Sequence, residues 1–133
     1  MRYVSFTDAG GRRRLGVERA GELRVVDGLA DVGELLAAGG DATPGDVIDP
    51  ARVTLRSPLA RPGKIICIGL NYRDHCREQN IEAPRYPMLF AKFANAVNDP
   101  GGQVVRPRAT EQLDLECELG VVIGRAASRI GCW

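Results

Sequence analysis

Polar and apolar residues alternate most regularly along Leu113-Asp114-Leu115-Glu116-Cys117-Glu118-Leu119, which runs into the apolar Val121-Val122-Ile123. A period of two is strand geometry. The stretch predicts a strand with one acidic face, buried where it turns continuously apolar. Glu116 and Glu118 then share a face, one pleat repeat apart. The same logic predicts strands over 2–6, 15–18 and 22–26, with turns at Asp8-Ala9-Gly10-Gly11 and Ala20-Gly21. Asp31 stands three residues before Glu34, which starts a short helix through Leu35-Leu36-Ala37-Ala38. Gly39-Gly40 ends that helix.

Pro44, Pro50, Pro58 and Pro62 exclude a long helix across 41–63 and leave a connector with one short strand near 53–55. Beyond it the pattern predicts a buried apolar strand over 64–70, a helix over 71–80 and a strand over 88–93. Asn98-Asp99-Pro100-Gly101-Gly102 is a turn, and 103–106 a further strand. The elements sum to an α+β, mainly β chain. A small α/β unit occupies 1–50, and a second unit spans 51–133.

Composition narrows the function classes. A chain of 133 residues can bury one core. A net charge of +1 and sparse aromatics speak against nucleic acid as a partner. Arg12-Arg13-Arg14 follows Gly10-Gly11 and reads as a solvated hairpin end. No apolar run reaches membrane-spanning length, and the start lacks a signal-peptide core. Four cysteines without Cys-x-x-Cys spacing, beside a single histidine, argue against a structural zinc site. Cys67 and Cys117 fall in apolar strand patterns, where cysteine acts as a small hydrophobe. The expected compartment is the reducing cytoplasm. There is no Gly-x-Gly-x-x-Gly and no phosphate loop, and the serines lack a nucleophile-elbow context.

Two constellations carry chemistry. Carboxylates crowded on a strand face repel one another unless a cation joins them, and Mg²⁺ seeks such oxygen ligands. A solvated acidic face is the bland alternative. The sole histidine, His75, precedes Glu78 by three residues, so on a helix the two share a face. A carboxylate beside an imidazole suits general base work. The bland alternative is an exposed helix with an Asp74–Arg77 ion pair.

The order of these pieces resembles the fumarylacetoacetate hydrolase family. The resemblance is carried by Pro62-Gly63-Lys64-Ile65-Ile66-Cys67-Ile68-Gly69-Leu70-Asn71-Tyr72 followed by His75 and Glu78. It is carried also by Pro87-Met88-Leu89-Phe90-Ala91-Lys92, and by Asp114-Leu115-Glu116-Cys117-Glu118-Leu119 leading into Val121-Val122-Ile123-Gly124. It implies a fumarylacetoacetase-like mixed β-sandwich or roll, in a homodimer. It implies Mg²⁺ or Mn²⁺ held by Glu116 and Glu118 with a later aspartate, and a catalytic dyad of His75 and Glu78. Tyr72 and Lys92 are expected to line the same pocket. The implied substrate is a small 2-oxo or diketo acid whose C–C bond is hydrolysed. Decarboxylation or keto–enol isomerisation passes through the same enolate.

The resemblance also implies a chain about twice as long. No aspartate or glutamate follows Glu118, and Gly131-Cys132-Trp133 do not continue the family pattern. The third metal carboxylate and a downstream lysine are expected after this point. The expectation is therefore a truncated catalytic domain with little activity, or a non-catalytic remnant that self-associates or pairs with a full-length relative.

Overall fold

Local turn chemistry dictates the first sheet. Strand β1 (Arg2–Thr7) hands over to β2 (Arg13–Arg19) through a turn that Asp8 organises. The Asp8 carboxylate accepts hydrogen bonds from the Gly10 and Arg12 amides at 2.9 and 3.0 Å. Between β2 and β3 (Glu22–Val26), Ala20 and Gly21 both take positive φ, 54° and 82°. Two such residues make the tight turn whose twist suits a hairpin, and Arg19 pairs directly with Glu22. With β4 (Pro44–Ile48) and β5 (Thr54–Leu55), these strands form an antiparallel sheet in the order β4-β3-β2-β1-β5. The computed structural model describes residues 2–131. The chain divides into two units, Met1–Ala60 with Asn98–Trp133, and Arg61–Val97. Cys132 and Trp133, part of the ending discussed above, lie outside the described residues.

The first sheet buries residues on both faces. Leu15, Val17 and Val26 pack with Leu35 of helix α1 (Val32–Ala37). Phe6, Leu23 and Val25 pack on the opposite side with Ile48 and Val53. Ile48 and Val53 flank a 3-10 turn at Pro50–Arg52 that joins the two edge strands, β4 and β5. Helix α1 starts as its sequence dictates. The Asp31 carboxylate accepts from the Glu34 amide at 3.0 Å, and the Glu34 carboxylate accepts from the Ala30 amide at 2.7 Å. Gly39 and Gly40, at φ of 104° and 86°, end it.

In the second unit, β6 (Ile65–Gly69) and β7 (Met88–Lys92) pair antiparallel from Ile65–Lys92 to Gly69–Met88. Helix α2 (Arg73–Glu78) lies between them in sequence. The regular secondary structure of the described residues is thus mainly strand, with two short α-helices. No helix among them is long and apolar enough to cross a membrane.

Several expectations are corrected. Residues 103–106 and 113–124 form neither strand nor helix and are exposed. Alternation prepares a segment for a sheet but supplies no partner for its backbone N–H and C=O groups. Among the described residues no strand pairs with this segment, and Cys117 is exposed rather than packed. Strand β6 is only half-buried, because among the described residues its sheet has two strands and β7 is exposed throughout. Strand β4 lies where a connector was expected. Pro44 opens it on a sheet edge, where the missing N–H costs no ladder bond. Arg13 is not a solvated hairpin end: it is half-buried, and its guanidinium donates to the Ser57 carbonyl at 2.5 Å.

Candidate active site

Helix α2 is short because its flanks stop it. Leu70 takes a positive φ of 51° as the chain leaves β6. Tyr72 is extended at the N-cap and supplies no side-chain cap. Asn80, at φ 52°, closes the other end in the left-handed region that asparagine tolerates. Cys76 anchors the helix: it is 4% exposed, and its thiol donates to the Leu70 carbonyl at 3.5 Å.

His75 and Glu78 sit one turn apart on this helix, as the spacing predicts. His75 is half-buried and Glu78 exposed. Among the described residues no hydrogen bond joins the imidazole to the Glu78 carboxylate. Asp74 and Arg77 do form their ion pair, fully at the surface. An exposed pair of this kind contributes little to stability. Tyr72 precedes the helix and is 40% exposed. Lys92 ends β7 opposite Ile65 and is exposed. Tyr72, His75, Glu78 and Lys92 therefore all belong to the unit of residues 61–97.

Glu116 and Glu118 belong to the other unit, in the irregular stretch after Leu113. Both are exposed. Asp114 is engaged locally, its carboxylate accepting from the Leu115 amide at 2.8 Å. Among the described residues no group of three His, Cys, Asp or Glu side chains is disposed to hold a metal ion. The two carboxylates have the right chemistry for a hard cation, but they do not form its cage here.

Two open clefts in the first unit contain none of the candidate residues. One, of about 380 Å³, is lined by Val47, Ile48, Asp49 and Arg52 beside the Asp8 turn. The other, of about 310 Å³, is lined by Arg12, Arg13 and Arg14 with Leu29 and Glu34.

The polar site that sequence reasoning missed centres on Asp99. Its carboxylate accepts from the Ser57 amide and from the Arg56 guanidinium, each at 2.8 Å. The Ser57 N–H, then the Arg56 side chain, hold this carboxyl below its ordinary value. No local signal marks the partnership, since 42 residues separate Ser57 from Asp99.

Comparison with known proteins places these residues in context. Residues 64–132, more than half of the chain, match the family described as fumarylacetoacetate (FAA) hydrolase C-terminal. The Bos taurus protein named oxaloacetate tautomerase FAHD2A, mitochondrial, is 43% identical over 89 residues, 67% of this chain and 28% of the bovine one. The Homo sapiens protein of that name is 43% identical over 84 residues, 63% of this chain and 27% of the human one. A Dictyostelium discoideum protein, named fumarylacetoacetate hydrolase domain-containing protein 2 homolog, is 42% identical over 76 residues, 57% of this chain and 25% of its own. The chain thus spans about a quarter of the length of these relatives.

Proposed function

This chain belongs to the fumarylacetoacetate hydrolase family, and from that premise we propose that it carries part of the active site of an enzyme that interconverts the keto and enol forms of a small 2-oxo diacid. The observation that carries the reading is the order of His75, Glu78, Lys92, Glu116 and Glu118 inside the matched stretch 64–132. The names of the bovine and human relatives support tautomerisation of an oxaloacetate-like acid over C–C hydrolysis. The fold proposed for the whole protein is the fumarylacetoacetase-like β-sandwich or roll, in a homodimer. Free Cys67, Cys76 and Cys117 suit the reducing cytoplasm proposed for the chain. The bovine and human relatives are named as mitochondrial.

The chemistry asks for one proton to move. His75 is the one histidine of the chain, and its half-buried ring sits on a helix anchored by Cys76. As general base it takes a proton from C3 of the oxo acid and returns it to the oxygen on C2, which leaves the atom count unchanged. Glu78, one turn along, stabilises the transient imidazolium. Lys92 and Tyr72 offer an ammonium and a phenol hydroxyl to the substrate's carboxylates. A divalent cation such as Mg²⁺ or Mn²⁺, when bound, supplies Lewis-acid stabilisation of an enolate oxygen. Glu116 and Glu118 are its proposed ligands, and they fit in donor type but do not assemble a cage among the described residues.

The test follows decay of enol absorbance of oxaloacetate with this chain, with and without Mn²⁺. Acceleration that requires His75 and disappears in His75→Ala, while Mn²⁺ affinity by calorimetry stays intact, is the expected result. Metal affinity that collapses with His75→Ala refutes the assignment of roles.

A second reading, a non-catalytic piece that associates with copies of itself or with a longer relative, is favoured by exposed apolar side chains. Leu89 and Phe93 are 67% and 84% exposed, and Leu115 is 89% exposed. Background rates throughout, together with concentration-dependent sedimentation, select this reading.

A further inference from the structure

The chain leaves the first unit after Ala60 and returns to it at Asn98. Both crossing points are tied down within that unit. On the outgoing side the Arg56 amide donates to the Ser5 carbonyl at 2.8 Å, and the Ser5 hydroxyl donates to the Pro58 carbonyl at 3.1 Å. The Ala60 amide donates to the Asp31 carboxylate at 2.8 Å. On the returning side, Asp99 holds the Ser57 amide with one carboxylate oxygen and the Arg56 guanidinium with the other. That guanidinium also donates to the Thr7 hydroxyl at 2.7 Å, which ties it to the end of β1.

The turn that presents Asp99 is itself held. The Asn98 side chain accepts from the Asp99 amide at 2.9 Å and donates to the Gln103 carbonyl at 3.1 Å. The Gly102 amide donates to the Asp99 carbonyl at 2.9 Å. Gly101 takes a φ of 74°. A Cβ at Gly102 would collide with the Asn98 side chain. The turn is therefore built to hold one carboxylate in place.

We propose that Asp99 is a clasp: it joins the two ends of the 61–97 excursion and so stabilises the fold of the segment that carries His75 and Glu78. Its bearing on catalysis rests on the roles proposed for those two residues; the clasp itself rests only on the Ser57, Arg56 and Thr7 contacts. Its physical action is on loop closure. With the ends held together, the excursion forms its β6–β7 ladder from an already closed loop. Released, it must close that loop afresh, and its amides open more often. The depressed pKa of Asp99 agrees with a carboxylate held ionised by its donors.

Hydrogen exchange read by mass spectrometry on this whole chain tests the clasp. In Asp99→Ala, amides of β6 and β7 exchange several-fold faster, while those of β1, β2 and β3 keep their wild-type rates. Asp99→Asn falls between, because its side-chain oxygen still accepts from Ser57 but loses the charge that pairs with Arg56. Acceleration spread equally over β1, β2 and β3 marks an ordinary stabilising contact and overturns the proposal. Unchanged rates in β6 and β7 overturn it too. If Asp99→Ala fails to fold, Asp99→Asn and Arg56→Gln support the same comparison. The readout needs no metal, substrate or turnover, so the clasp and the enzymatic reading fail separately.

Discussion

Replacing Gly16 with alanine probes the packing of the first sheet most directly. Gly16 lies in the middle of β2, and an added Cβ would stand 2.8 Å from Leu23 Cδ1 and 2.9 Å from Phe6 Cε1. It would also stand 3.1 Å from the Arg24 carbonyl oxygen. Phe6 is wholly buried and Leu23 is 4% exposed, so neither side chain has open space to retreat into. The carbonyl cannot recede without disturbing the β2–β3 ladder. Overpacking of this kind costs about 1–3 kcal/mol. Alanine recovers roughly 0.5–1 kcal/mol of the backbone entropy that glycine loses in a strand. The net is a destabilisation of about 1–2 kcal/mol. With a mid-range urea slope of about 2 kcal/mol/M, the unfolding midpoint falls by roughly 0.5–1 M. Circular dichroism of the sheet during urea titration measures it. Gly120→Ala is the control, since its Cβ would meet nothing within 4 Å, and its midpoint stays put. Phe6→Leu in the Gly16→Ala background restores part of the loss, because the two positions share one contact. A Gly16→Ala midpoint equal to or above wild type refutes the packing argument.

Asp31→Ala removes the acceptor for both the Glu34 and the Ala60 amides and lowers stability by about 1–3 kcal/mol, read by the same urea titration. Asp99 gives a defined acid limb. Its folded-state pKa lies below the ordinary 3.8, so its contribution is complete above that value and is lost as pH falls through the depressed one. A melting temperature that drops below that pH in the wild type, and drops less in Asp99→Asn, is the expected outcome of differential scanning fluorimetry across pH.

The N-terminal sheet was legible because its signals are local. Gly10-Gly11 and Ala20-Gly21 mark the two hairpins, and Asp31 with Glu34 marks the helix start, within a few residues of the structures they specify. Helix α2 was legible as well, though it is trimmed to Arg73–Glu78 by the left-handed residues on either side. Strand β4 was hidden by Pro44, which argues against a strand until its place on a sheet edge is known. The acidic stretch shows the opposite error. Its periodicity is strong, yet a strand exists only with a partner, and the pattern of one segment says nothing about whether a partner is beside it. The spacing of His75 and Glu78 placed them on one helix face, whereas the Asp99 contacts depend on chain separation that no pattern encodes.

The discontinuity of the first unit has an evolutionary corollary. Because Ser57 and Asp99 meet within hydrogen-bonding distance, everything between them departs and comes back through a single doorway just past edge strand β5. Such a stretch is a cassette in the geometric sense. A relative's version, longer or shorter, can be spliced in at these two posts without rethreading a strand. Length can then change there while the core of Leu15, Val17, Val26 and Leu35 stays untouched.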